Sequence, residues 1–229
     1  MNRCPEKLLE FLGHGNLHAP CWFIGMEEGV DETAMPLEQS LEVRLRAFDR
    51  TMDLREAAML LNSPITAERR PPTPTWPWMA KILRGLVGGE SDWTDPGRAR
   101  RFVVERLGTL DGVSFLAELL PLPKKDAGSW PATYRRWWST REEYERAVLP
   151  ERISLLRAQL RTCEPRCVIA YGKRHHPTFK QIFQGCSFTA AGRIMTGEWT
   201  EKTTVILTPF LGNGQFGVRD VQSILEAVS

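Results

Sequence analysis

Four short apolar runs dominate the pattern of hydrophobic and polar positions, and each leads into a loop rich in glycine, proline or charge. They lie at residues 21–25, 113–120, 167–171 and 203–208. Continuous apolar runs of this length are typical of strands that a parallel sheet buries on both faces. Apolar residues recur at helical spacing before the third run and again over 218–228. This alternation predicts an α/β fold with a mainly parallel sheet.

Two stretches between these strands interrupt the alternation. Apolar residues at 37, 41, 45, 48, 52 and 59 predict one long amphipathic helix within Met35–Leu61, and a stiff proline-rich loop follows at 68–78. The second stretch contains Trp130, Tyr134, Trp137 and Trp138 beside basic residues. Such aromatic residues either stack on unpaired bases or fill a core under the loop. We interpret the stretches near 35–78 and 124–145 as insertions in a single domain spanning 1–229.

The end of the first strand carries the most informative motif. The apolar run Cys21–Ile24 is followed by Gly25, then by Glu27 and Glu28, and then by Gly29. In open α/β sheets, ligands bind beyond the carboxyl ends of the strands. The sequence therefore places two carboxylates at a candidate site, although an ordinary turn with two solvated acids has the same pattern.

The four segments resemble those of the uracil-DNA glycosylase superfamily, whose first strand ends in motifs such as GMNPG, GEAPG or GQDPY and whose last ends in HPS or NPS. Gly25–Gly29 resembles the first motif, and Thr208–Leu211 stands where the second is expected. Leu155–Gly172 resembles the family's helix, third strand and phosphate-contacting loop, and Val113–Pro123 its second strand. The resemblance covers most of residues 15–229. It implies a three-layer α/β/α sandwich with a mainly parallel, four-stranded central sheet.

Three positions depart from the family pattern. Glu27 replaces the activating Asp or Asn, with Glu28 at the usual proline, and Thr208 replaces the histidine of the last motif. Glu118 stands where the family has its base-reading asparagine. Three changes around one pocket indicate a different target base or a lost activity.

The resemblance implies a DNA glycosylase, which flips a base out of DNA and hydrolyses its N-glycosidic bond to leave an abasic site. An oxocarbenium-like transition state calls for a nearby carboxylate, and we assign that role to Glu27, with Glu28 next. The remaining assignments are base recognition by Glu118, Met26 and Asn213, the motif after the last strand at Thr208 and Pro209, a DNA wedge at Phe210 and Leu211, and phosphate contacts at Arg69, Arg70, Lys173, Arg174 and His175.

The choice of base depends on Glu118. An ionised carboxylate only accepts hydrogen bonds, so it favours a base with an exocyclic amine, such as a modified cytosine. Uracil would leave polar groups unpaired. The alternative is that Glu118 is misaligned and faces solvent.

Two other functions remain open, uracil excision with altered motifs and nucleic-acid binding without catalysis. A nucleoside hydrolase is disfavoured because the basic and aromatic loops would have no purpose. The removal of hypermodified bases from phage DNA, known in this superfamily, suggests phage defence besides DNA repair.

Composition and charge limit the binding partners and the cellular compartment that the sequence suggests. The net charge is only +2, and no run approaches the roughly 18 apolar residues that span a bilayer. The five cysteines lack the Cys-x-x-Cys pair of the iron–sulfur relatives. We therefore predict a cytoplasmic monomer that acts on single- or double-stranded DNA, with no membrane association, no metal and no cofactor.

Overall fold

The computed structural model describes residues 4–66, 73–126 and 128–228, which form one mixed sheet covered by helices. The strands in this part of the chain are β1 Gly13–Gly15, β2 Cys21–Gly29, β3 Thr51–Met52, β4 Ser114–Lys124, β5 Cys167–Tyr171, β6 Thr189–Ala191, β7 Ile194–Glu198 and β8 Thr204–Thr208. The helices are α1 Glu6–Glu10, α2 Leu37–Ala47, α3 Leu54–Leu60, α4 Trp76–Leu86, α5 Pro96–Glu105, α6 Arg141–Cys163, α7 His176–Ile182 and α8 Val218–Val228. The predicted α/β class is confirmed.

The prediction of a four-stranded sheet is wrong. The described residues form eight strands in the order β3-β1-β4-β2-β5-β8-β7-β6. The four strands predicted from the sequence are the adjacent parallel strands β4-β2-β5-β8 at its centre. Antiparallel pairing of β1 with β4 and of β7 with β8 extends the sheet on both sides. The added strands span two to five residues and include no long apolar run, so the hydrophobic pattern does not reveal them.

Two central strands are longer than their apolar runs. β2 continues to Gly29, and β4 continues through Pro121 and Pro123 to Lys124. Proline is tolerated there because β1 pairs with β4 only at residues 115–117, which leaves an open edge beyond them. Glu118 therefore lies within β4, opposite Gly25, rather than at its carboxyl end.

The prediction of a single long helix within Met35–Leu61 is also wrong. α2 ends at Ala47 and α3 begins at Leu54, and the short strand β3 between them pairs with β1. The Asp53 carboxylate caps α3 by accepting a hydrogen bond from the backbone N–H of Arg55.

Side chains that alternate along β2 build two separate cores. Phe23 packs on one face of the sheet with residues of α4, α5 and α8. Trp22 and Ile24 pack on the other face with residues of α6 and α7. The chain therefore forms three layers, α/β/α. None of the helices within the described residues is long and apolar enough to cross a membrane.

The aromatic residues of the segment 124–145 pack on one another. Trp130 stacks on Tyr144 with ring centroids 5.3 Å apart, and its indole N–H donates to the carbonyl of Trp138. Tyr134 and Trp137 are buried in the same cluster. These residues fill a core under the loop, so they are not a free platform for stacking bases.

Candidate active site

A cavity of about 1300 Å³ opens at the carboxyl ends of the central strands. Its walls come from four of them: β2 supplies Met26, Glu27 and Glu28; β4 supplies Glu118 and Lys124; Tyr171 ends β5 and is followed by Lys173, Arg174 and His175; Phe210 and Asn213 follow β8. This is the edge at which an α/β sheet binds ligands. The fold thus brings together most of the residues that the sequence singled out.

Glu27 is a buried carboxyl group between two cations. Its side chain is 8% exposed, and Oε2 lies 3.1 Å from Lys124 Nζ and 3.0 Å from an Arg141 guanidinium nitrogen. Burial raises the pKa of Glu27 to about 7, against the lowering effect of Arg141. Within the described residues, the buried Oε1 has no hydrogen-bond partner. Near neutral pH this group can therefore take up or release a proton inside the cavity.

Glu28 has a different environment. Its two carboxylate oxygens accept hydrogen bonds of 2.8 and 2.7 Å from the buried Arg44 guanidinium, and His14 Nε2 lies 3.9 Å away. Burial works to raise the pKa of Glu28, but Arg44 and His14 together outweigh it and hold the pKa below its ordinary range. Glu28 is thus a fixed anion in a bidentate ion pair. Nothing in this pair supports the second-choice catalytic role that the sequence suggested.

Glu118 forms a compact group with Tyr171 above Gly25. The Tyr171 hydroxyl donates to Glu118 Oε1 over 3.3 Å. A β-carbon at position 25 would collide with both Glu118 Oε2 and the Tyr171 hydroxyl, so glycine lets these two groups meet above the strand. Glu118 lines the cavity and does not face bulk solvent, which is the alternative that the sequence left open.

The sequence analysis assumed an ionised Glu118, and this charge state needs correction. Burial, reinforced by the charges of Glu28 and Glu27, raises the pKa of Glu118 well above its ordinary value, although the Tyr171 hydrogen bond opposes this. The neutral carboxyl can donate as well as accept. Glu118 therefore does not select an amino-bearing base by accepting hydrogen bonds alone.

The outer wall of the cavity carries exposed positive charge. Lys173 and Arg174 are exposed on a 3-10 turn, Lys173–His175, that follows Gly172. His175 differs from them, because burial and then Arg174 lower its pKa to about 4. The neutral imidazole accepts a 2.8 Å hydrogen bond at Nε2 from Arg174 Nε. His175 therefore orients Arg174 and adds no charge of its own at neutral pH.

The segment after β8 divides into buried and accessible residues. Phe210 and Asn213 line the cavity, and the Phe210 ring lies 6.2 Å from the Tyr171 ring. Leu211 is fully buried in the core, so its assignment as a DNA wedge is not supported. Thr208 is also buried, and its hydroxyl donates to the carbonyl of Pro209. Neither Thr208 nor Pro209 reaches the cavity.

Only part of the proline-rich loop lies within the described residues, and that part lines the cavity. Arg69 and Arg70 lie outside the described residues. Thr73, Pro74 and Trp76 line the cavity. A β-carbon at Gly212 would lie 2.8 Å from Pro74, so the loop packs closely on the segment that follows β8.

Sequence reasoning missed the partners of the two glutamates. Arg44 lies on α2 and Arg141 begins α6, and both are far from Glu27 and Glu28 along the chain. No short motif joins them, so only the fold could reveal these contacts. Lys124 carried one signal, since a basic residue at the end of a buried strand is unusual.

Comparison with known protein families and with curated proteins finds no match to this chain.

Proposed function

We propose that this protein is a DNA glycosylase that takes an enlarged base into the cavity and hydrolyses its N-glycosidic bond. The observation that carries the proposal is the environment of Glu27. A buried carboxyl group with a pKa of about 7 lies in a cavity whose outer wall bears Lys173 and Arg174. An inner acid–base group and an outer phosphate-binding surface fit a flipped nucleotide whose backbone stays outside.

Glu27 has two roles in the proposed reaction. Its carboxylate stabilises the positive charge that develops on the sugar as the bond to the base breaks. Its free Oε1 can accept a proton from a water molecule that attacks C1′ from the same side. Lys124 and Arg141 hold Oε2 and so fix the direction of the carboxyl group.

The size of the cavity favours a large base. Pockets for drug-sized ligands have volumes of about 300–1,000 Å³, and this cavity of about 1300 Å³ exceeds them. An unmodified pyrimidine would fill a small part of that space. We therefore propose a hypermodified cytosine as the target, and a role in defence against phages whose DNA contains such bases.

Uracil is the second candidate, because a neutral Glu118 removes the mismatch that an ionised carboxylate would make with it. A carboxylic acid can pair with the N3 and N4 edge of cytosine by donating and accepting. The same group, with donor and acceptor exchanged, can pair with the N3 and O4 edge of uracil. Glu118 can thus pair with the edge of a pyrimidine but does not select between cytosine and uracil.

Base release from a panel of oligonucleotides tests the proposal. Single- and double-stranded DNA would carry uracil, cytosine, 5-hydroxymethylcytosine or its glucosylated form, with the slowed variant Glu27→Gln as the control. Mass spectrometry of the released base and alkaline cleavage of the abasic site would measure the reaction. Release of the enlarged cytosines is the expected result. Salt-dependent binding without any release would instead support the non-catalytic function.

A further inference from the structure

Lys124 is a buried lysine inside the cavity, and in the hydrolysis described above it only positions Glu27. It ends β4, and its side chain is 3% exposed. Nζ lies 3.1 Å from Oε2 of Glu27. Lys125, the next residue, is exposed. Lysine is almost never fully buried unless it is paired, and here the Glu27 carboxylate is a partner inside the cavity.

Lys124 can pass a proton directly to Glu27, because the two side chains are in contact. Arg141 contacts the same carboxylate oxygen at 3.0 Å, so a second positive charge competes with Lys124 for Glu27. A like charge nearby disfavours the charged form of a lysine, as burial does. Glu27, whose pKa is raised by burial to about 7, is a direct acceptor for the proton. A desolvated lysine amine beside another cation is a recognised nucleophile toward carbonyl carbon.

We propose that Lys124 forms a Schiff base with C1′ of the abasic sugar and that the protein then cuts the strand at that sugar. The inference rests on the proposed glycosylase function, which supplies the abasic sugar as its product. The ligand class is the open-chain aldehyde of a deoxyribose within DNA. The protein would thus combine base excision with an abasic-site lyase activity.

Each step of the proposed reaction balances without a redox partner. The lone pair of Nζ attacks the C1′ aldehyde and a C–N bond forms. Glu27, which holds the proton taken from Lys124, protonates the departing oxygen, and that oxygen leaves as water to give an iminium ion. Glu27 then removes a proton from C2′. The electrons of that C–H bond form the C2′–C3′ double bond, and the C3′–O bond breaks with release of the downstream strand as a 5′-phosphate. Water hydrolyses the remaining imine and frees Lys124.

Borohydride trapping on preformed abasic-site DNA tests this step separately from base release. The intact protein would be mixed with a duplex whose single abasic site has been made beforehand, and sodium borohydride would reduce the imine to a stable amine. A covalent protein–DNA complex is expected on a denaturing gel. Peptide mass mapping of the wild-type complex should locate the adduct on Lys124.

Two variants give a matched comparison. Lys124→Arg keeps the positive charge beside Glu27 but cannot form the imine, so the covalent complex should be lost. Lys125→Arg makes the same change one residue away and should leave trapping intact. If Lys124→Arg fails to fold, the adduct position in the wild-type protein still decides the question.

The outcomes separate the two proposals. An adduct on Lys124 without base release from any oligonucleotide would support the lyase and overturn the proposed glycosylase. Base release without a trapped complex would overturn the lyase alone. An adduct that maps to Lys125, Lys173 or the amino terminus would also overturn the assignment to Lys124.

Discussion

Glu27 and Glu28 are neighbours on β2, yet their surroundings give them opposite properties. Glu27 is held at one oxygen by Lys124 and Arg141, and burial raises its pKa to about 7. Both oxygens of Glu28 are bound by Arg44, and its pKa stays below the ordinary range. Successive side chains of a strand point to opposite sides, so the two carboxyl groups meet different partners. Burial brings the pKa of a carboxyl group near neutrality only where the neighbouring cations do not bind both of its oxygens.

The ion pair of Glu28 should matter most for stability. Arg44→Met removes the guanidinium and leaves a partly buried carboxylate without its bidentate partner. We expect the free energy of unfolding to fall by on the order of 3 kcal/mol, measured by urea denaturation at pH 7. Because the folded-state pKa of Glu28 is lowered, this stabilisation exists above the unfolded-state pKa and is lost as the pH falls toward the folded-state value.

The same helix offers a control for this prediction. Arg46 is 82% exposed and makes only a 4.0 Å ion pair with Glu42. Arg46→Met should leave the unfolding free energy nearly unchanged. Equal effects of the two substitutions would show that Arg44 acts through general charge and not through Glu28.

Glu27 should show the reverse pattern, with a large effect on activity and a small one on stability. Glu27→Gln should slow base release by about 10²-fold, the usual scale for a positioned acid or base. In the wild-type protein the rate should rise as the pH increases through about 7, because the ionised carboxylate is the active form. The residual rate of the variant should not follow this rise. A wild-type rate that is flat between pH 5 and 9 would exclude Glu27 as the titrating group.

Glu145 allows the pKa of Glu27 to be moved without touching it. Its carboxylate pairs with Arg141 at 2.5 Å, and its charge raises the pKa of Glu27. Glu145→Gln removes that charge and frees Arg141 to interact with Glu27 alone. The midpoint of the pH–rate profile should therefore shift to lower pH, while the maximal rate stays close to that of the wild type. A midpoint that stays in place or rises would contradict the proposed network.

The outer wall of the cavity should affect binding but not the pH profile. Lys173→Ala and Arg174→Ala should each lower the log–log slope of DNA affinity against salt by about one. Lys180→Ala, an exposed lysine on α7 that does not line the cavity, is the matched control. His175→Gln should leave the slope unchanged at pH 7 because the imidazole is neutral there. A salt-independent affinity would favour a small-molecule substrate.

Substitution of Glu118 should give the smallest effect, and the effect is on the pH dependence of stability. Its pKa is raised mainly by burial, so the folded protein keeps a proton that the unfolded chain releases above its ordinary carboxyl pKa. Wild-type stability should therefore fall as the pH rises from that value toward the folded-state pKa. Glu118→Gln has no such proton to release. The Tm difference between variant and wild type should grow in favour of the variant between pH 5 and pH 8, and an unchanged difference would mean that Glu118 is ionised.

The sequence located the central strands, and most of the site residues that it singled out line the cavity. Apolar runs marked β2, β4, β5 and β8 because a strand buried on both faces has no polar positions to obscure its pattern. The spacing of apolar residues also marked α8. The pattern missed the short added strands and predicted one helix where α2 and α3 are separate, because β1 and β3 are made by pairing between distant segments.

The sequence by itself determined the class of fold, the edge of the sheet at which chemistry is expected, and the presence of carboxylates there. Only the tertiary structure decided which carboxylate can titrate near neutral pH, which one is fixed as an ion, and that Leu211 and Thr208 are buried. The physical reason is that a pKa or an exposure depends on groups brought close by folding. Arg44, Lys124 and Arg141 come from α2, β4 and α6, and no local pattern predicts that all three would meet the end of β2.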